Sequence, residues 1–173
     1  NQVIAMPKLH RVARLAAQLA ARGGRLGVAV DHIDGIKRLA EAMMQYGSDA
    51  GIDVLVEIDV GQGRCGVPPG EAAVPLALAV SRSPRLRFAG LQAHHGRAQH
   101  LSSSVGRREA ITKVVEAAYH TRQLIEAEGL AVPLITGAGT GTLVHEAASG
   151  VFGELHAGSF LCRDADYARN ERD

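Results

Sequence analysis

The chain has 173 residues, 46% hydrophobic and 21% charged, enough for one domain with a sizeable core. Its formal net charge of +1 supplies no global field to recruit nucleic acid or a membrane surface. Aromatic residues make up 3% with no tryptophan, which argues against a base-stacking platform.

The elements alternate along the chain. Leu9, Val12, Ala13, Ala16, Leu19 and Ala20 fall at helical spacing, and Gly23-Gly24 stops that helix. Residues 25–30 read as a short buried strand, with Asp31 in an N-cap region after it. Ile33, Ile36, Leu39, Ala40, Met43 and Met44 predict a second helix, bracketed at its exit by Gly47 and Gly51. The β-branched run at 54–60 predicts a second strand. A glycine-rich turn over 61–70 leads to a helix over 71–83, and a third strand follows at 87–93. A polar loop over 96–106 precedes a long helix with Ile111, Val114, Val115, Ala118 and Ile125 on one face, ended by Gly129. A fourth strand at 132–135, a second glycine-rich turn at 136–142, a short helix at 143–149 and a fifth strand at 152–156 complete the pattern.

Five repeats of strand and helix mean parallel βα units. An open doubly wound sheet and part of a (β/α)₈ barrel both fit. A whole barrel needs roughly 250 residues, so the chain holds about five of eight units. The longest apolar run, 72–80, is about half of a membrane span and contains Pro75. The N-terminus lacks a signal-peptide pattern. It opens on Asn1-Gln2-Val3-Ile4, which resembles a strand end, and the expectation is a chain that begins inside a larger protein. Cys65 and Cys162 are far apart and fit no metal or redox spacing, which suits a reducing, cytoplasmic setting.

In either architecture, function gathers at the carboxyl ends of the strands. Those ends carry Asp31, Asp59 with Gly61-Gln62-Gly63-Arg64, Gln92-Ala93-His94-His95-Gly96, Thr136-Gly137-Ala138-Gly139-Thr140, and Gly158-Ser159. The run Gly61-Gln62-Gly63-Arg64-Cys65-Gly66 has the glycines of a dinucleotide fingerprint but fails its context. Val67-Pro68-Pro69-Gly70 intervenes before any helix, and no acid occurs between Glu71 and Glu109 to bind a ribose. The segment 136–142 is the better anion site, because its glycines let amides converge on an oxyanion and its threonines add donors. It lacks the lysine of a P-loop, and the competing reading is a plain turn. Gly158-Ser159 offers a second set of donors, and two late-strand loops forming a phosphate cup recur in barrels. His94, His95 and His100 crowd one loop at a spacing unlike zinc sites, so a general base is the more economical reading for one of them. Between Ala72 and Arg108 lie six arginines and no acid, by default a solvated face.

The segment Val56-Glu57-Ile58-Asp59-Val60-Gly61-Gln62-Gly63-Arg64-Cys65-Gly66-Val67 resembles the D-threonine aldolases and D-3-hydroxyaspartate aldolases. So do Gly90-Leu91-Gln92-Ala93, Gln99-His100, Thr136 through Thr142, Glu146 through Val151, Glu154-Leu155, Gly158-Ser159 and Asp164-Ala165-Asp166-Tyr167. The resemblance spans essentially the whole chain. It implies an alanine racemase-like, fold-type III enzyme of pyridoxal 5'-phosphate (PLP), with residues 1–173 as a single domain. That domain is the central to C-terminal part of a PLP-binding (β/α)₈ barrel, without the first barrel units or a C-terminal β domain. Carried over by position, Arg64 contacts the 3-oxygen of the cofactor ring. Thr136, Gly137, Ala138 and Gly139 form the phosphate loop, and Gly158 and Ser159 its second half. His94 stands where the family commonly has a cofactor-contacting tyrosine. His100 takes the proton of the substrate β-hydroxyl.

Phe160, Cys162 and Arg163 also depart from the family pattern. The family's cofactor lysine lies upstream of the matching region, and its metal-binding His and Asp lie downstream. Lys8, Lys37 and Lys113 all fall on predicted helices. The implied function is a PLP-dependent lyase, assisted by a divalent metal (Mn, Mg or Co type) in the parent protein. It would cleave D-β-hydroxy-α-amino acids, D-threonine or D-3-hydroxyaspartate, to glycine and an aldehyde or glyoxylate. The partner is a small-molecule D-amino acid, without nucleic acid or membrane, in a possible homo-oligomer. The alternatives are a D-serine or D-hydroxyaspartate dehydratase of the same fold and a non-catalytic PLP-binding barrel module. Residues 1–173 alone are expected to be inactive and prone to aggregate, since missing strands would leave apolar inner positions facing solvent.

Overall fold

In a computed structural model, which describes residues 2–46, 49–161, 165 and 167–171, five parallel strands form one sheet. Helix α1 (Met6–Ala20) has Pro7 in its first turn, where a missing N–H costs no intrahelical bond. It stops at the glycine pair, where the Gly24 N–H donates to Leu19 O at 2.8 Å. Strand β1 (Gly27–Val30) and helix α2 (Ile33–Gln45) follow. Strand β2 (Ile52–Glu57), helix α3 (Val74–Arg82) and strand β3 (Leu86–Ala93) make the middle units. Helix α4 (Ser104–Ala127), strand β4 (Ile135–Gly137), helix α5 (Leu143–Ala148) and strand β5 (Glu154–Leu155) complete the order.

The strands neighbour one another in sequence order, β1 to β5. A doubly wound sheet reverses its order at a switch point; this sheet does not, which selects the barrel reading. Ile52, Val54 and Val56 of β2 are fully buried on one face, in a core shared with Leu9, Ala13, Ile36, Leu39, Met43, Ala77 and Val80 of the helices. Asp53 and Leu55 alternate to the other face, where with Arg87, Phe88, Gln92, Thr136 and Glu154 they line a concavity of ≈ 700 Å³. That face is mixed: Val28, Leu55, Phe88 and Leu134 are open to the concavity, as expected of an uncovered parallel sheet, beside charged groups. Its first layer is an ion cluster, in which Asp53 accepts from Arg25 Nε and Arg87 Nε at 2.8 Å each. Burial works against the Asp53 charge, but the two guanidinium hydrogen bonds outweigh it and hold the carboxyl below its ordinary range.

A register irregularity between Val54 and Leu55 lets β3 run one residue ahead of β2, so that Gly90 pairs with Leu55. Gly90 has φ +132°, and a Cβ on it would lie 1.8 Å from the Leu134 carbonyl oxygen.

Four expectations are corrected. Asp31 is not the cap of α2; its Oδ2 accepts the Gly66 N–H at 3.1 Å, and His32 Nδ1 takes over as cap by accepting the Asp34 N–H. The fourth strand is Ile135–Gly137 rather than 132–135, because β3 offers Leu91, Gln92 and Ala93 as its partners. Val132 is buried without joining the ladder, and Pro133 has no N–H to donate. Gln2, Val3 and Ile4 form no strand; Gln2 instead donates its side-chain amide to Glu57. Met44, placed on the apolar face of α2, is 51% exposed, with Ala42 buried instead. Gly47, Cys162, Arg163, Asp164 and Asp166 lie outside the described residues. No helix among the described residues is long and apolar enough to cross a membrane.

Candidate active site

Asp59, just past the end of β2, organises the first rim loop. Its Oδ1 accepts the N–H of Gly61 at 3.0 Å and of Gly63 at 2.9 Å. These bonds, led by the one from Gly63, hold the carboxyl below its usual range against the cost of burial. Gly61 packs on the His95 ring, and Gln62 Oε1 accepts the Arg97 N–H at 3.1 Å. The loop at 61–66 is thereby locked to the loop after β3. A tight turn therefore accounts for two of its glycines, and their amides are not free for a ligand.

Asp59→Ala is expected to loosen this lock and cost about 1–3 kcal/mol, since two loop amides lose their acceptor. The pH dependence has a definite sign. The folded carboxyl titrates below the unfolded one, so its stabilisation is full at neutral pH and is lost on acidification through the folded value. Urea unfolding at pH 7 and pH 3 should show a wild-type advantage that shrinks at pH 3; an equal gap at both would discount the role.

The loops after β3, β4 and β5 enclose a cavity of ≈ 390 Å³ whose walls include His94, His100, Gly139, Thr140, His156, Gly158 and Ser159. Among the described residues, none that lines it carries a carboxylate. His94 Nδ1 meets the Ala138 carbonyl oxygen at 2.8 Å; as that oxygen only accepts, Nδ1 carries the hydrogen. Burial, above all, lowers the His94 pKa, and the imidazole stands neutral with Nε2 as an acceptor. Ala138 is held at φ +63°, an uncommon left-handed conformation for a residue with a side chain. The amides of Ala138 and Gly139 have no hydrogen-bond partner among the described residues. The Ser159 N–H donates to Thr140 Oγ1 at 3.1 Å and the Gly158 N–H to His156 O at 2.8 Å, so these two amides are already engaged.

Thr136 and Gly137 belong to β4 rather than to the turn. Thr136 is buried, and its Oγ1 lies 2.6 Å from His156 Nε2 and 3.2 Å from Glu154 Oε1. Arg64 does not line the cavity; it lies 4.0 Å from the buried Glu57, and its charge reaches His94. The ring of His100 lies 5.7 Å from that of Tyr167.

Several participants were visible in the sequence only as members of matching segments or a basic stretch, without a role. Gln99 is buried, donating to Thr142 Oγ1 at 2.7 Å and accepting the Gly141 N–H at 2.7 Å. Thr142 Oγ1 donates in turn to Glu146 Oε1 at 2.8 Å. The spacing of Thr142 and Glu146, one helical turn, is the sequence signal for their contact; nothing local pairs Gln99 with Thr142. Arg107, read as part of a solvated basic stretch, is buried and donates to the carbonyls of Leu101, Ser102 and Glu171. It ties residues 167–171 to the His100 segment.

Burial pushes the Glu146 carboxyl up to about 7 from an ordinary value of 4.5. A raised folded pKa means stability that is full below the unfolded value and lost as pH rises through the folded one. Glu146→Gln is therefore expected to gain on the wild type between pH 5 and pH 8, by on the order of 1–3 kcal/mol. Thermal unfolding across that range checks it; a constant gap would count against a buried, titrating carboxyl.

The family described as "Alanine racemase, N-terminal domain" matches residues 8–164. The chain belongs to that family. It is 42% identical to a D-threonine aldolase from Arthrobacter sp. over the whole chain and 44% of that protein. It is 38% identical to a 3-hydroxy-D-aspartate aldolase from Paracoccus denitrificans (strain Pd 1222), over 98% of the chain and 42% of that protein. The crystal structure of D-threonine aldolase from Filomicrobium marinum superposes with a TM-score of 0.93 at 42% identity, covering 99% of this chain and 45% of that one. The chain thus spans under half the length of the relatives it matches. The alanine racemase N-terminal domain is a TIM-barrel-type fold, and β1 to β5 are consecutive strands of it.

Proposed function

We propose that this chain is the central part of a PLP-dependent aldolase barrel that cleaves D-β-hydroxy-α-amino acids such as D-threonine or D-3-hydroxyaspartate. The observation that carries the reading is the cavity where three loops of an alanine racemase-family barrel bring together His94, His100, His156, Gly139 and Ser159. The aldolase names of the two relatives favour C–C cleavage over dehydration.

The residues fit a phosphate-bearing cofactor. The Ala138 and Gly139 amides are free to donate, and Gly139 leaves the space that a Cβ would fill only by meeting the Gln99 amide at 2.5 Å. The Thr140 and Ser159 hydroxyls would complete the cup, with Gly158 on its wall and Thr136 and Gly137 fixing its base in β4. Arg64 and His94 would face the ring, and neutral His94 Nε2 would accept a hydrogen bond there. PLP, when bound, supplies an electron sink for the carbanion left by Cα–Cβ cleavage. His100 would accept the β-hydroxyl proton. A divalent metal beside that hydroxyl would take its ligands from outside residues 1–173. Among the described residues no three His, Cys, Asp or Glu side chains are placed to hold a metal ion. Lys8, Lys37 and Lys113 are exposed on α1, α2 and α4, away from the strand ends, so the cofactor lysine too would come from outside.

The test uses the full-length protein, loaded with PLP, reduced with borohydride and peptide-mapped, alongside product analysis with D-threonine and D-3-hydroxyaspartate. The expected results are a label outside residues 1–173 and glycine as product. A label on Lys8, Lys37 or Lys113, or a 2-oxo acid with ammonia instead of glycine, would overturn the reading.

A further inference from the structure

The loop with the free amides does not hold its shape alone. Gly139 and Gly141 lie directly against Gln99; a Cβ on Gly139 would be 2.5 Å from its Cδ, and one on Gly141 3.0 Å from its backbone oxygen. The Gln99 amide has one arrangement that satisfies both ends, with Oε1 accepting the Gly141 N–H and Nε2 donating to Thr142 Oγ1. The Thr142 hydroxyl, having accepted from Gln99, directs its single hydrogen to Glu146 Oε1. Each bond thus fixes the polarity of the next. All three side chains are buried, where an unmade hydrogen bond costs most. Glu146 Oε2 has no hydrogen-bond partner among the described residues, and Thr142 is the side chain seen to donate to this carboxyl.

At its other end the chain of bonds reaches the segment that carries His100. Gln99 is the preceding residue in the 3₁₀ turn Gly96–His100, and its carbonyl oxygen accepts from Asn170 Nδ2 at 2.9 Å. We infer that Gln99, Thr142 and Glu146 form a positioning unit that aims the Ala138 and Gly139 amides at a ligand phosphate and ties that loop to the His100 segment. The inference rests on the proposed PLP site; Thr142 and Glu146 lie off the cavity wall and act on it through Gln99 and the loop.

The test compares two probes on the full-length apoprotein by absorbance titration: pyridoxal 5'-phosphate, and pyridoxal, which lacks the phosphate. Thr142→Val keeps shape but removes both bonds, and Thr142→Ser restores the hydroxyl. Thr142→Val is expected to weaken pyridoxal 5'-phosphate at least about 10-fold while pyridoxal changes less than about 2-fold. Thr142→Ser should lie within about 2-fold of wild type for both probes. A Gln99→Met, Thr142→Val double variant should bind no more weakly than the worse single variant, since both cut one unit. Should Thr142→Val fail to accumulate folded, Gln99→Met carries the same comparison from the other end. Equal losses for both probes, or no loss, would overturn the inference. A wild type that binds neither probe would instead overturn the proposed function on which it rests.

Discussion

Gly90→Ala is expected to prevent folding or to cost more than about 4 kcal/mol, well beyond an ordinary substitution. Two effects act together. The φ of +132° is a conformation that side-chain-bearing residues rarely adopt. The added methyl would also sit 1.8 Å from Leu134 O, 2.8 Å from Leu134 C and 3.0 Å from Leu134 N, all of them backbone atoms. A side chain could swing away; a strand-entry backbone cannot without losing the bond from the Leu91 N–H to Leu134 O, at 2.9 Å. That bond begins the pairing of β3 with β4, on which Thr136 and Gly137 depend. Gly129 is the control, because its φ is +78° yet nothing lies within 4 Å of a Cβ there. Gly129→Ala should cost about 1 kcal/mol, from the backbone conformation alone. Urea midpoints of the two full-length variants decide the matter; similar costs would mean that the β3–β4 approach is looser than described.

His100→Asn should lower kcat of the full-length enzyme by about 10²–10⁴-fold, the range for a positioned general base. The proposed role also demands a particular pattern. Affinity for the cofactor should hold, because the phosphate cup is built from Ala138, Gly139 and their neighbours and not from the imidazole. The loss should appear in kcat and in kcat/KM together, as it does when an interaction made only in the transition state is removed. A variant that keeps kcat but raises KM would reassign His100 to substrate binding, in line with its place on the cavity wall against Tyr167.

Local chemistry determined much of this protein. Helical periodicity, glycine stops and β-branched runs were sufficient to order five βα units, because each signal acts within a few residues of chain. Glycines and threonines after a strand pointed to the anion loop, and His94 and His100 to its neighbour, since parallel strands deliver such residues to one edge. What needed the tertiary structure was every assignment that depends on a partner distant in sequence. Asp31 looks like a helix cap until the Gly66 amide, 35 residues on, claims its carboxylate. Arg107 looks solvated until residues 101–102 and 171 close over it. Val132 marks burial, yet only the register against Leu91 and Ala93 decides where β4 begins. The amides of Gly61, Gly63 and Ser159 seem available in a glycine-rich string and are taken up by Asp59 and Thr140. The family resemblance already implied a barrel, but periodicity by itself left barrel and open sheet equally possible. Amphipathic periodicity says that a helix has a buried face, but not on which side of the sheet it lies, and only the unbroken order from β1 to β5 supplies that.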